Sequence, residues 1–248
     1  MAPASSRPRP ATPTDVSEAI ARRRRAENRR RTLTMAGVAS LVLLALALVW
    51  LVRFSPVLAA RTVEVSGTRL VSQQQVTDAA QVPLGTPLAR LDTAPIAQRV
   101  ADQLTPVGEV HVSTRLPGTV KIEVIERSAV YLRRSGTVYQ SVDAAGVIFA
   151  TADKPAKGAV VAETSTVENR LLADVATVIT ALPTEVRGQV TRVQAAGPDR
   201  IVLTLAKGQT VVWGSAAASE QKAQVLVALL GQKATIFDVS SPGSPTTR

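Results

Sequence analysis

The 248-residue sequence has no cysteine, a single histidine and only 3% aromatic residues. Without thiols it can build no disulfide framework, no zinc finger, no iron–sulfur site and no cysteine nucleophile. With His111 alone, a multi-histidine metal centre is excluded, and a Ser-His-Asp triad would need that one residue in the right place. Negative charge is also scarce, with 19 Asp+Glu against 29 Lys+Arg and a formal net charge of +10. These absences turn the reading away from enzymology and cofactors and towards binding and anchoring.

The positive charge is concentrated at one end. Residues 1–32 hold nine arginines against Asp15, Glu18 and Glu27, a balance of +6. Four prolines and small polar residues accompany them, so this tail buries too little apolar surface to order and is expected to be disordered. From Leu33 to Val52 there follow twenty residues without a charge. At 1.5 Å rise per residue such a helix matches a hydrocarbon core of ~30 Å. Trp50 and Phe54 suit its far interface, and Arg53 with Pro56 closes it. Arg22, Arg23, Arg24, Arg25, Arg29, Arg30 and Arg31 on the near side act as topology determinants, setting the N-terminus in the cytoplasm and the rest outside. The other readings of the segment are a cleaved export signal, with Arg30-Arg31-Thr32-Leu33 as a twin-arginine pattern, and a buried soluble helix. The arginine block reads as a topology signal rather than a nucleic-acid site, because no aromatic interleaves it and no recognition helix follows.

Beyond the span, Thr62–Ser66 alternates as a strand and Ser72 caps a helix over Gln73–Ala80. A second helix opens at Asp92 or Thr93 and carries Ile96, Val100 and Leu104 on one face. Glu109–Ser113 and Val120–Val124 are strands joined through Leu116-Pro117-Gly118. Val63, Val65, Val110, Val112, Val120, Ile122 and Val124 then form one sheet face beneath two helices, with His111 on the other face as a structural residue. After Arg127 come strands over Ala129–Arg133 and Thr137–Val142, a turn at Asp143–Gly146, and Val147–Phe149. Residues 151–165 read as irregular. A helix marked by Val167, Leu171, Val175, Val178 and Leu182 ends at Pro183. A strand over Val190–Ala196, a hairpin of 201–205 with 210–213, a helix from Ser215 capped by Gly231, and a last strand over Thr235–Val239 complete the pattern.

The fold class is therefore α+β: an N-terminal transmembrane helix (33–52) after a basic tail (1–32), a small β-α-α-β-β domain (61–127), a β-rich domain with two helices (128–240), and a disordered tail (241–248). Val-Glu-Val-Ser-Gly at 63–67 and Val110 to Arg127 resemble the POTRA module. Placed outside an N-in span and followed by Val142-Asp143, Gly146 and Phe149, the whole resembles the FtsQ/DivIB family of bacterial cell-division proteins. The resemblance implies an essential-type, non-enzymatic division scaffold at the septum of the cell membrane, without cofactors or metals. It implies FtsB/DivIC-like and FtsL-like coiled-coil partners and, through them, influence on the septal peptidoglycan synthase. It assigns partner binding to the last strand, Thr235, Ile236, Phe237, Asp238, Val239 and Ser240, whose free backbone would take a partner strand. The alternative is a membrane-anchored or exported cell-wall binding protein or hydrolase, whose carboxylates would be brought together by folding.

Overall fold

The computed structural model describes residue 31, residues 34–51, residue 53 and residues 56–248. The expected basic tail apart from Arg31, the ends Leu33 and Val52 of the expected span, and Phe54 lie outside the described residues. The chain divides into two compact units: one comprises the chain up to Thr62 with Pro83–Leu91 and Leu116–Thr119, the other Val63–Val82, Asp92–Arg115 and Val120–Arg248.

In the first unit, α1 (Thr34–Leu51) is long and apolar enough to cross a membrane, and none of it is buried against protein. Its leucines and valines, from Leu41 to Leu51, stand half or more exposed. Such a surface is stable in lipid and costly in water. Beyond it, the Ala60 amide donates to Thr86 O and accepts in return from Gly85, while Arg61 and Thr62 donate to Gly118 O. A Cβ on Gly118 would stand 2.6 Å from Ala59 O, so only glycine lets the two backbones meet.

The three-stranded sheet has the order β1 (Thr62–Ser66), β3 (Thr119–Glu126), β2 (Val107–Arg115). Two helices, α2 (Gln73–Ala80) and α3 (Ala94–Gln103), supply its apolar cover. The start of α2 is a capping box, in which Ser72 Oγ accepts from the Gln75 amide and Gln75 Oε1 from the Ser72 amide. At α3 the Thr93 hydroxyl makes no cap, and Asp92 Oδ1 accepts from the Ala94 amide instead. Central β3 carries the burial: Val120, Ile122 and Val124 are closed from solvent with Val76, Ile96 and Val100. The flanking Val63, Val65, Val110 and Val112 are only half-buried, since outer strands have a neighbour on one side alone. His111 is exposed and 3.2 Å from Glu109 on the opposite face.

Glu126 closes this sheet. Its Oε1 accepts from the amides of Arg69, Leu70 and Val71 at 2.7, 2.7 and 3.1 Å. Burial acts to raise its carboxyl, but the three amides and the Arg69 charge outweigh it and hold the group below the usual glutamate value. A depressed folded value stabilises the fold above the unfolded value of ~4.3 and ceases to do so as pH falls through the folded one. Glu126→Gln is therefore expected to cost about 1–2 kcal/mol near neutrality and to flatten the acid limb of the stability profile. Amide hydrogen exchange at Arg69–Val71, read against pH, checks both.

Nine strands form the second sheet, in the order β12-β11-β10-β9-β8-β7-β4-β5-β6. They are β4 (Tyr131–Ser135), β5 (Val138–Val142), β6 (Ile148–Ala152), β7 (Val161–Thr164), β8 (Val190–Ala195), β9 (Ile201–Leu205), β10 (Thr210–Gly214), β11 (Ile236–Asp238) and β12 (Thr246–Thr247). The pairs β4–β7, β7–β8 and β10–β11 are parallel. Parallel neighbours require crossovers. The helices α4 (Asn169–Ala181) and α5 (Thr184–Arg187) provide one between β7 and β8, and α6 (Ser219–Leu229) provides another between β10 and β11. Leu172, Val175 and Ile179 of α4 and Leu226 of α6 share one core with Val193, Leu203, Trp213 and Phe237. Buried Tyr131 donates its hydroxyl to Leu172 O, bolting β4 to α4, and burial drives its pKa far upward.

The stretch expected to be irregular contains β7, a central strand. The second region has three helices rather than two, α5 being a single turn. Val167 is 57% exposed, because α4 begins only at Asn169. Gly231 is not the cap of α6, which closes at Leu230 in right-handed backbone.

The two sheets follow one another with four residues between β3 and β4. The Arg127 amide donates to Pro106 O, and its guanidinium to Thr105 O and, at 2.5 Å, to Asp143 Oδ2. Asp143 Oδ1 accepts from the Ala145 and Val147 amides at 2.9 and 2.8 Å. One buried carboxylate thus holds both its own turn and the arginine at the end of the first sheet.

Candidate partner-binding edge

The last long stretch of the sequence builds the end of the nine-stranded sheet. In β11, Phe237 is fully buried and Ile236 is 39% exposed, the period-two alternation of a strand with one covered face. Its inner side pairs in parallel with β10, Thr210 opposite Ile236 and Val212 opposite Asp238. The Thr210 amide donates to Thr235 O, and the Val239 amide to Val212 O. Buried Val239 closes the core below. Asp238 Oδ1 accepts from the Ser240 amide and hydroxyl at 3.0 and 2.6 Å, turning the chain out of the sheet. A Cβ on Gly214 would lie 2.9 Å from that of Ser240, so strand and turn are closely seated.

The six residues expected to bind a partner therefore sit together, but not on a free edge. Residues 241–248, expected to be disordered, return across β11 as β12, pairing antiparallel with Thr247 opposite Phe237 and Thr246 opposite Asp238. Thr235 and Ile236 donate their amides to Arg248 O, and Ile236 O accepts from Arg248. The C-terminal residues supply backbone partners for the outer groups of Thr235 and Ile236, and the β-branched Thr-Thr pair suits the extended backbone this requires. The signal was present in the sequence as turn-forming Ser-Pro-Gly-Ser-Pro followed by two threonines. In an antiparallel ladder alternate residues point to opposite sides, so Arg248 bonds inward and the Thr247 amide faces outward. The open hydrogen-bonding edge at this end of the sheet is that of β12.

A second feature that sequence patterning missed supports β10 from below. Lys222, in a run that reads as the polar face of a helix, is 2% exposed. Its Nζ donates to Trp213 O and Ser215 O at 3.0 and 2.8 Å. Burial lowers its pKa, opposed by the charge of Asp199. Trp213 Nε1 donates to Ser219 Oγ, which donates to Ala216 O. These bonds fix the β10–α6 connection, where Ala218 takes a left-handed φ of 52°.

Among the described residues no cluster of His, Cys, Asp and Glu has metal-binding geometry. An open groove of about 520 Å³ beside α4 and α6 is lined by alanines, threonines and Ser219, with Glu220 as its carboxylate.

Comparison with known proteins gives a family for each sheet. A model described as POTRA domain, FtsQ-type matches residues 58–127. A model described as cell division protein FtsQ/DivIB, C-terminal, matches residues 130–240. The cell division protein FtsQ of Streptomyces bingchenggensis is 35% identical over 236 residues, spanning 91% of this chain and 89% of that protein. That of Mycolicibacterium smegmatis is 39% identical over 206 residues, spanning 83% of this chain and 62% of that protein. The solved extracytoplasmic domain of DivIB from Geobacillus stearothermophilus, its trans isomer, superposes on 40% of this chain and 84% of its own, with 15% identity and a TM-score of 0.32.

Proposed function

The chain belongs to the FtsQ/DivIB family of cell-division proteins, and from that premise we propose that it is a single-pass membrane scaffold of the division complex rather than an enzyme. Its N-terminus lies in the cytoplasm and its two sheets outside, at the septum. It gathers FtsB/DivIC-like and FtsL-like coiled-coil partners there and through them influences septal peptidoglycan synthesis. Confinement by α1 raises the partners' effective concentration about it, so modest contacts suffice for recruitment.

The observation that carries the reading is the end of the nine-stranded sheet. β10 and β11 are rigidly seated on the core, and β12 offers an outward backbone edge that a partner strand would extend. The binding residues proposed from sequence, Thr235 to Ser240, then act as the platform, and Thr246 and Thr247 as the contact. Thr247→Pro removes the outward amide and leaves the inward bond of Arg248. It is expected to weaken capture of the coiled-coil partners about tenfold, equivalent to the loss of one well-made hydrogen bond, with unchanged expression. Co-purification from membranes measures this, and undiminished capture would remove strand addition from the reading. An N-terminal fluorescent fusion should form a midcell band that follows constriction. A uniform peripheral signal from a functional fusion would favour the anchored wall-protein alternative.

A further inference from the structure

The unit that contains α1 also contains two loops distant in sequence, Pro83–Leu91 and Leu116–Thr119. Both are pinned by backbone hydrogen bonds to Ala60, Arg61 and Thr62, the chain just past the helix. Ala59 forms a further antiparallel bridge with Pro87. Ala89 lines a shallow groove with Leu48, Val49 and Arg53, so the longer loop borders the end of α1. Leu48 belongs to the segment long and apolar enough to span a bilayer. With α1 read as a span, a loop beside it at that level stands at the lipid headgroups.

The side chains these segments present are unusual for a surface facing water. Val57, in a single 3-10 turn over Pro56–Leu58, is 61% exposed, and Leu84 and Leu116, in turns, are 61% and 69% exposed. Across residues 53–62, 83–91 and 116–119 there is no Asp or Glu, while Arg53, Arg61 and Arg90 are all present. Exposed apolar tips with arginines and no acid are the composition of an interfacial membrane contact.

We propose that this rim is a peripheral membrane-binding surface: Val57, Leu84 and Leu116 enter the headgroup region of the leaflet where α1 exits, and the arginines favour anionic phospholipid there. The contact rests on the reading of α1 as a span and adds to it a second attachment. A helix alone leaves the first sheet free to swing about its exit point, whereas tips seated in the interface hold these loops on the membrane plane.

The absence of native cysteine makes the test direct. Single variants Leu84→Cys, Leu116→Cys, Leu44→Cys within α1, and Lys207→Cys in an exposed turn are labelled with a small fluorophore. Each is reconstituted as the full chain in nanodiscs of equal phosphatidylcholine and phosphatidylglycerol. Iodide reports exposure to water, and a nitroxide carried on lipid headgroups reports contact with the interface. The expected result is that labels at 84 and 116 are about fivefold less accessible to iodide than the label at 207 and are quenched by the headgroup nitroxide. Iodide access equal to that at 207 would overturn the proposal. So would shielding without nitroxide quenching, which would mean that protein, a second copy included, covers the tips. The label at 44 separates the two readings: if it is shielded while 84 and 116 are open, only this inference fails, and if it is open, the span fails with it.

Discussion

Gly146→Ala is expected to be among the most destabilising single changes in the chain, costing about 3 kcal/mol or more, although it adds one methyl group. Gly146 closes the turn between β5 and β6 at a φ of 78°. An L residue in the left-handed region costs about 1–2 kcal/mol before any contact is considered. The added Cβ would also stand 2.2 Å from Asn169 O and 2.6 Å from Ala173 N, both backbone atoms in the first turns of α4. Neither can rotate away, so either the turn or the helix must shift, and both border the common core. Urea unfolding of the full chain in detergent, followed by the fluorescence of buried Trp213, should lose about 1–2 M from its midpoint. A midpoint within a few tenths molar of the parent would mean that the turn and α4 are not seated as described.

Asp143→Ala carries the second large effect. The carboxylate is 10% exposed and its Arg127 partner 24%. Removing one member of a largely buried ion pair leaves the other uncompensated, and the amides of Ala145 and Val147 lose their acceptor as well, for a combined cost of about 3–4 kcal/mol. The two contributions separate in a double-mutant cycle. In an Arg127→Met background the arginine is no longer stranded, and Asp143→Ala should cost about 2 kcal/mol less than in the parent. Equal costs in both backgrounds would show that Asp143 serves its own turn alone. His111, which pairs with Glu109 on an exposed face, should tolerate alanine with little change, as surface ion pairs contribute little.

Which parts were legible from sequence follows from where the determining information lies. The bounds of β1 and α2 are written locally, in a five-residue alternation and in Ser72 with Gln75 three positions on. The parallel strand β7 is not, because four residues of mixed character, Val-Ala-Glu-Thr, become a strand only through neighbours from distant positions, Arg133 and Val193 among them. Lys222 reads as solvated because its type is almost never buried. Its burial depends on the Trp213 and Ser215 carbonyls that accept from its ammonium, a tertiary circumstance without periodicity. The same holds at the candidate edge. The alternation of Ile236 and Phe237 and the turn chemistry of Asp238 are local, whereas the return of Thr246 and Thr247 onto β11 has only a turn signal and two β-branched residues in sequence and is settled by pairing with a distant strand.

The join between the two sheets has a mechanical meaning. On the proposed function the chain is a tether between membrane and partners, and tension between the two sheets would pass from β3 to β4 through residues 127–130. In that short stretch the Arg127 amide bonds to Pro106, the Val130 amide bonds to Val142, and the arginine side chain bonds to Thr105 and Asp143. A glycine- and serine-rich linker would stretch under load like a spring and dissipate the pull as chain entropy. Here several bonds share the load between the end of β3 and the start of β4, so the join resists extension where a flexible linker would yield.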